Sequence, residues 1–280
     1  ASGVRTEPPA SWLPWLSSPS VTVYFQDAAG GVFIPVTRHV SSREATPEGS
    51  VRQLVEGPRD RLRLAAPFPP GSRLTSFHIQ DNVAVADVVA PPSAGAGRVS
   101  PTAATQALAD TLRGSSLIDR VRLLVNGTEA GDRPARSPND AGRLIYYTAG
   151  PYLAPIPTAA ASPRDAMEAY LDGPAPGSGL TGLPADVGLV AYRFDPASEV
   201  AYVNLTYTES VQQLALGDPV QLRRTFSGIV ATLDQYPGVK AAVLDFQGHA
   251  RLGLGQCADM LRTPQLMPAV LNDESALAPR

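Results

Sequence analysis

Ala45-Thr46-Pro47-Glu48-Gly49-Ser50-Val51-Arg52-Gln53-Leu54-Val55-Glu56-Gly57-Pro58 and Ala161-Ser162-Pro163-Arg164-Asp165-Ala166-Met167-Glu168-Ala169-Tyr170-Leu171-Asp172-Gly173-Pro174 are two writings of one short helix, and their likeness decides the fold. The same offset, 116, separates Thr46 from Ser162 and Pro58 from Pro174. Thr46 and Ser162 stand as N-caps, Pro47 and Pro163 open the helix, and Gly57 and Gly173 close it before a proline. Val51, Leu54 and Val55 answer to Met167, Tyr170 and Leu171, the i, i+3, i+4 stripe of a helix with one buried face.

The flanking sequence repeats in the same order. In the first copy, 21–25 and 32–36 read as a hairpin around a turn at 26–31, and the helix follows. A second hairpin, 74–79 and 83–89, turns at Gln80-Asp81-Asn82. Ser100-Pro101 starts a second helix with Ala104, Leu108 and Leu112 on one face, and strand 121–125 ends at Asn126-Gly127. In the second copy the corresponding pieces are 144–147 with 152–156, then 163–172, then 189–194 with 200–206. A helix opened by Asp218-Pro219, facing inward with Phe226, Ile229 and Leu233, and a strand at 239–246 complete it. Recurrence of cap, stripe, hairpin and closing strand in one order is the mark of a tandem duplication.

The expected fold is therefore α+β: two small tandem domains, each a ββαββαβ unit with both helices on one face of a mixed or antiparallel sheet. The boundaries read as a disordered lead at 1–19, a first domain at 20–130, a linker at 131–142 within the breaker-rich run from Thr128 to Gly142, and a second domain at 143–250. A tail at 251–280 carries enough apolar residues, Met260, Leu261, Leu266, Met267, Val270 and Leu271, to pack back on a domain. A length of 280 residues suits two domains, and 44% hydrophobic with 18% charged residues suits ordinary globular ones.

A net charge of −3 gives no basic footprint for nucleic acid. With a single cysteine, Cys257, the chain has neither an intrachain disulfide nor a cysteine zinc cluster. No apolar run is long enough to span a bilayer. The Pro/Ser-rich start without methionine suggests the extracytoplasmic part of a secreted or anchored protein, with membrane anchoring through a removed N-terminal segment.

The residues that carry chemistry elsewhere have plain structural readings here. His39, His78 and His249 lie far apart with no ligand-spaced neighbour, and no Gly-x-Ser-x-Gly elbow, His-Glu-x-x-His helix or phosphate loop is written. Asp81 suits a turn, and Asp165 and Glu168 sit favourably early in a helix. Cys257 reads as a small apolar core residue. Two groups remain as a candidate interaction surface: the charged run with Arg59, Arg61 and Arg63, and the tyrosines of the second copy's strands, chiefly Tyr192 and Tyr202. No catalytic, cofactor-binding or metal-binding residue is indicated.

The opening Val-Thr-Val-Tyr-Phe strand, the helix ending Leu54-Val55-Glu56-Gly57-Pro58, the Pro-Pro-Gly-Ser-Arg-Leu run before Val83-Ala84-Val85-Ala86-Asp87, the Thr111-Leu112 helix end and the strand from Val121 to Gly127 resemble the GerMN domain. That domain occurs in sporulation and spore-germination proteins of the GerM type and in some actinobacterial envelope lipoproteins. The second copy keeps Leu171-Asp172-Gly173-Pro174 and Thr232-Leu233, but has Asn204 where the first has Asp87. The resemblance implies a fold like the ring-building motif of secretion-type assemblies and a non-enzymatic, extracytoplasmic role in the cell envelope. It implies protein–protein scaffolding with other envelope or spore-assembly proteins, no cofactor and an undetermined oligomeric state. The alternative reading is a ligand-binding lipoprotein holding a small molecule or glycan between the domains.

Overall fold

The computed structural model describes residues 19–29, 31–92, 100–135, 142–247, 253–261, 263–268 and 270–277. The lead at 1–18, the turn residue Gly30, part of the linker at 136–141 and His249 lie outside the described residues. The first unit runs β1 (Ser20–Asp27), β2 (Phe33–His39), α1 (Pro47–Glu56), β3 (Leu64–Ala65), β4 (Arg73–Gln80), β5 (Val83–Val89), α2 (Pro101–Leu112), β6 (Arg120–Val125) and β7 (Thr128–Pro134). The second runs β8 (Arg143–Ala149), β9 (Tyr152–Thr158), α3 (Pro163–Leu171), β10 (Leu189–Asp195), β11 (Val200–Leu205), α4 (Glu209–Gly217), α5 (Pro219–Asp234) and β12 (Ala241–Phe246). A 3-10 helix (Gly255–Leu261), β13 (Gln265–Leu266) and α6 (Glu274–Leu277) follow.

The repeated helix forms for the reasons its sequence gives. Thr46 Oγ1 accepts the Gly49 N–H and Gly57 leaves α1 at φ +82°. Ser162 and Asp165 make a reciprocal capping box at the start of α3. Val51 and Leu54, like Met167 and Tyr170, are buried. The repeated Thr-Leu pair has an equally local cause. Thr111 Oγ1 in α2 accepts the Tyr24 N–H of β1 at 3.1 Å, and Thr232 Oγ1 in α5 accepts the Tyr146 N–H of β8 at 3.0 Å. Each hydroxyl pins its unit's second helix to its unit's first hairpin, and the leucine beside it enters the core.

Each unit's second hairpin and closing strand make a mixed sheet, in the orders β4-β5-β6-β7 and β10-β11-β12-β13. The parallel pairs β5–β6 and β11–β12 require crossovers, which run through α2 and through α4 and α5. The first hairpins stand apart as sheets β2-β1-β3 and β8-β9 rather than joining the mixed ones. The expected single sheet per unit is thus divided in two, with helices touching strands of both: α2 lies on β1 and on β6 and β7, α5 on β8 and on β12.

Two further departures have visible causes. The polar run from Thr128, expected to lead into a linker, instead forms β7, paired antiparallel with β6 after an Asn126-Gly127 turn with φ +54° and +74°. This edge strand buries little; Asp132 holds it to Arg120 and Arg122, so it carries none of the hydrophobic alternation that marks a strand. Helix α4 is additional to the repeat, capped by Thr208 and burying Val211 and Ala215.

The cores are two. Phe25, Ile34, Leu54, Leu108 and Leu123 centre the first. Tyr170, Phe226, Ile229, Leu233 and Phe246 centre the second. The β8–β9 hairpin serves both, sending Ile145 and Tyr147 into the second core and Ala149, Tyr152 and Ala154 into the first. The residues after β12 pack back as well. Leu254, Cys257, Met260 and Leu261 join the second core, and β13 pairs with β12.

Burial, with the Asp172 carboxylate adding to it, pushes the Tyr147 phenol up to about 12. Burial raises Tyr170 and Tyr152 further, Asp60 adding to the effect at Tyr152. A phenol whose folded pKa exceeds its unfolded value of about 10 stabilises the fold fully below that pH. The contribution is lost as pH rises toward the folded value. The urea midpoint of the protein is therefore expected to fall as pH rises from about 10 to 12, and Tyr147→Phe should make that fall shallower.

Candidate functional site: strand edges and the joint between the units

The two mixed sheets each end on an unshared strand. β4 and β10 occupy corresponding positions, each the outermost strand of its sheet and each paired on one side only. Exposure runs along most of β4, where Ile79 is 39% exposed, and Val190 of β10 is 51% exposed. Both strands carry a register irregularity near their start, at Leu74/Ser76 and Leu189/Ala191, beyond which pairing is regular to Gln80 and Asp195. Neither edge contains lysine or proline, although each carries charge, Arg73 on β4 and Arg193 with Asp195 on β10, in addition to its register irregularity.

The tyrosines singled out in the sequence do not share a face. Tyr192 pairs with Val203 and packs against the second core, whereas Tyr202 pairs with Arg193 on the opposite side. There the Arg193 guanidinium stacks 4.0 Å from the Tyr202 ring centroid. The reason is the two-residue alternation of strands: adjacent registers on β10 and β11 point to opposite faces. Tyr147, Tyr152 and Tyr170 are buried and Tyr146, Tyr202 and Tyr207 are half-buried, so the tyrosines are not gathered on one exposed face.

The arginine run divides in a similar way. Arg63 Nε lies 2.9 Å from Asp27 Oδ1, and its Nη2 donates to Gly179 O of the second unit at 3.2 Å. Arg59 pairs with Glu274 at 3.3 Å. Asp60, buried, accepts the Leu62 and Arg63 N–H groups and the Tyr152 hydroxyl. The loop is therefore a fastening between units, and what it offers outward is the exposed side of Arg59, Arg61 and Leu62, the last 93% exposed.

Three residues that local sequence does not single out complete the joint. Arg38, buried in β2, forms a two-pronged pair with Glu274 at 2.6 and 2.9 Å. Asn272 bonds to Pro35 O of β2 and to both Leu153 backbone groups of β9. Their partners are more than a hundred residues away, which no periodicity or spacing reveals. A cavity of about 330 Å³ beside the joint is lined mainly by apolar side chains, Val32, Ile145, Tyr147, Ile156 and Leu180 among them.

The remaining chemistry-bearing residues hold structural positions. His39 meets Asp273 at 3.2 Å, and His78 is exposed on β4. Asp81 sits in a turn at φ +50°, and Asp87 accepts the Gly127 N–H that closes the β6–β7 turn. Burial raises the Cys257 thiol, which donates to Pro219 O. Among the described residues, no three His, Cys, Asp or Glu side chains are grouped as metal ligands, and no helix is long and apolar enough to cross a membrane.

Comparison with known proteins agrees with this architecture. The family model "Germane: Sporulation and spore germination" matches residues 22–131 and 139–251. The solved tandem GerMN domains of the sporulation protein GerM from Bacillus subtilis are 20% identical over 92% of this chain and 99% of that one, with a TM-score of 0.54. That likeness shows the shared two-unit fold. A putative lipoprotein from Clostridium perfringens, 20% identical, matches over 39% of this chain and 75% of its own with a TM-score of 0.25. No curated protein matches. Family matches on both copies, and the tandem fold, make this chain a member of the Germane, or GerMN, family of sporulation and spore germination.

Proposed function

We propose that the chain is a non-catalytic interaction module of the cell or spore envelope, binding other envelope or spore-assembly proteins by strand addition at β4 and β10. The observation that carries this reading is the pair of free edges at corresponding places in the two sheets. An unpaired edge offers a row of backbone donors and acceptors to an incoming strand, and exposed side chains beside it select which strand. Ile79 and Val190 supply apolar contacts at the two edges. The apolar lining of the joint cavity is a poor match for a glycan, which needs converging polar groups.

Light scattering on the purified chain across a concentration series, alone and with solubilised envelope extract of its source organism, tests the reading. Self-association, or one envelope protein co-eluting at fixed stoichiometry, is expected. A strict monomer that retains no protein would contradict it.

A further inference from the structure

We propose that the slot between β2 and β9 is a peptide-binding site, specific for a short segment with a carboxamide followed two residues later by a carboxylate at the start of a helical turn, and that residues 271–277 of this chain are its resident ligand. The proposal is independent of the strand-edge function.

The receptor side is built without the segment. Arg38 is fixed by hydrogen bonds to Gln53 O at 2.8 Å and Gly57 O at 2.7 Å, carbonyls at the end of α1, and by stacking 5.3 Å from the Phe25 ring centroid. A guanidinium held on one side by carbonyls and an aromatic ring presents its remaining donors in a fixed fork, the geometry that a carboxylate fits. Glu274 fits it. Its side chain is 1% exposed, both oxygens face Arg38, and Oε1 also accepts the Arg59 N–H at 2.9 Å.

Two residues earlier, the Asn272 amide engages strands of both units. Its Nδ2 donates to Pro35 O and to Leu153 O, each at 2.7 Å, and its Oδ1 accepts the Leu153 N–H at 2.8 Å. Both N–H donors and the acceptor oxygen of the carboxamide are thereby used, and an aspartate could not donate in its place. The segment's backbone completes the fit along the β2 edge. Thr37 donates from its N–H to Asn272 O at 3.1 Å and from its hydroxyl to Leu271 O at 2.7 Å.

Such a segment behaves as a tethered ligand. Beyond the one-turn α6 it has no regular structure of its own, and it is held by these polar contacts together with Leu277 packed against the first core. While it is seated, β2 of the first unit and β9 of the second are bridged by one side chain. A tethered ligand competes at an effective concentration of order millimolar, so the intact chain should exclude a free peptide of the same sequence.

The test uses the full chain and a fluorescein-labelled synthetic peptide of residues 270–277. N272A/E274Q, which weakens the tethered copy, is expected to bind the peptide at least tenfold more tightly than the unsubstituted chain by fluorescence anisotropy. Peptides with the asparagine changed to alanine or the glutamate to glutamine should bind at least tenfold more weakly. Equal binding to both chains, equal binding of the altered peptides, or no saturable binding to the variant would overturn the proposal.

Should the variant not fold, hydrogen exchange on the unsubstituted chain reads the same event. The Thr37, Leu153 and Arg59 amides, on β2, on β9 and in the loop after α1, all donate to this segment. They are expected to exchange with a common protection factor, within about twofold, because one release frees all three. Protection that differs among them by tenfold or more would overturn it.

Discussion

Glu274→Leu is expected to lower the stability of the protein by about 3–5 kcal/mol, read as a shift of the urea unfolding midpoint. The carboxylate is fully buried, and its removal leaves the Arg38 guanidinium, 3% exposed, with only the solvent-exposed Glu56 carboxylate 4.0 Å away in place of its two-pronged partner. A buried cation that keeps only a distant, solvent-screened partner costs more than the leucine's added apolar area returns. The double variant Arg38→Met/Glu274→Leu should therefore be more stable than the single one, since the buried charge is gone. Recovery should stop short of the unsubstituted protein, because Gln53 O and Gly57 O then lose their donor. Glu48→Ala provides the contrast. Its partner Arg52 is on the surface of α1, and the change should fall within about 0.5 kcal/mol.

Gly228→Ala is the second large effect, about 3 kcal/mol or more by the same measurement. Gly228 lies in α5 where that helix crosses β8. A Cβ there would fall well inside van der Waals contact of the Tyr146 carbonyl oxygen and 3.4 Å from Leu153 Cδ2. A backbone carbonyl cannot rotate away as a side chain does, so α5 must lift off the hairpin. That movement also strains the Thr232 hydroxyl bond to the Tyr146 N–H. Gly217→Ala controls for glycine chemistry itself: nothing lies within 4 Å of a Cβ there, and the change should be neutral or stabilising by a few tenths of a kcal/mol.

The fold was legible wherever local chemistry governs it. Thr46-Pro47 with Gly57, and Ser162-Pro163 with Gly173, mark helix ends because caps and left-handed exits are decided by a few neighbouring residues. The Phe226, Ile229 and Leu233 stripe is buried as its spacing requires. The misreading of Thr128–Pro134 shows the opposite limit. An edge strand held by Asp132 and a neighbouring strand has no pattern of its own, although the Asn126-Gly127 dipeptide is a hairpin signal that could have revealed it.

The candidate site was legible only in part. Arg59, Arg61 and Arg63 stand out in the sequence as a candidate interaction surface, yet which of them fastens and which faces solvent depends on Asp27, Gly179 and Glu274. Tyr192 and Tyr202 looked alike until strand register placed them on opposite faces. Arg38, Asn272 and Glu274 were missed because a buried ion pair spanning 236 residues leaves no trace in any local window. The free edges β4 and β10 are likewise properties of strand order, which local sequence does not contain.

The most direct test of the strand-addition reading is photo-crosslinking in the source organism's envelope, with a benzophenone amino acid at Thr75 of β4, at Val190 of β10, and at Gln213 on α4 as a control. The proposal predicts discrete adducts of one or a few defined masses from the two edge positions and none from the helix. Adducts from Gln213 alone, or none from either edge, would contradict it.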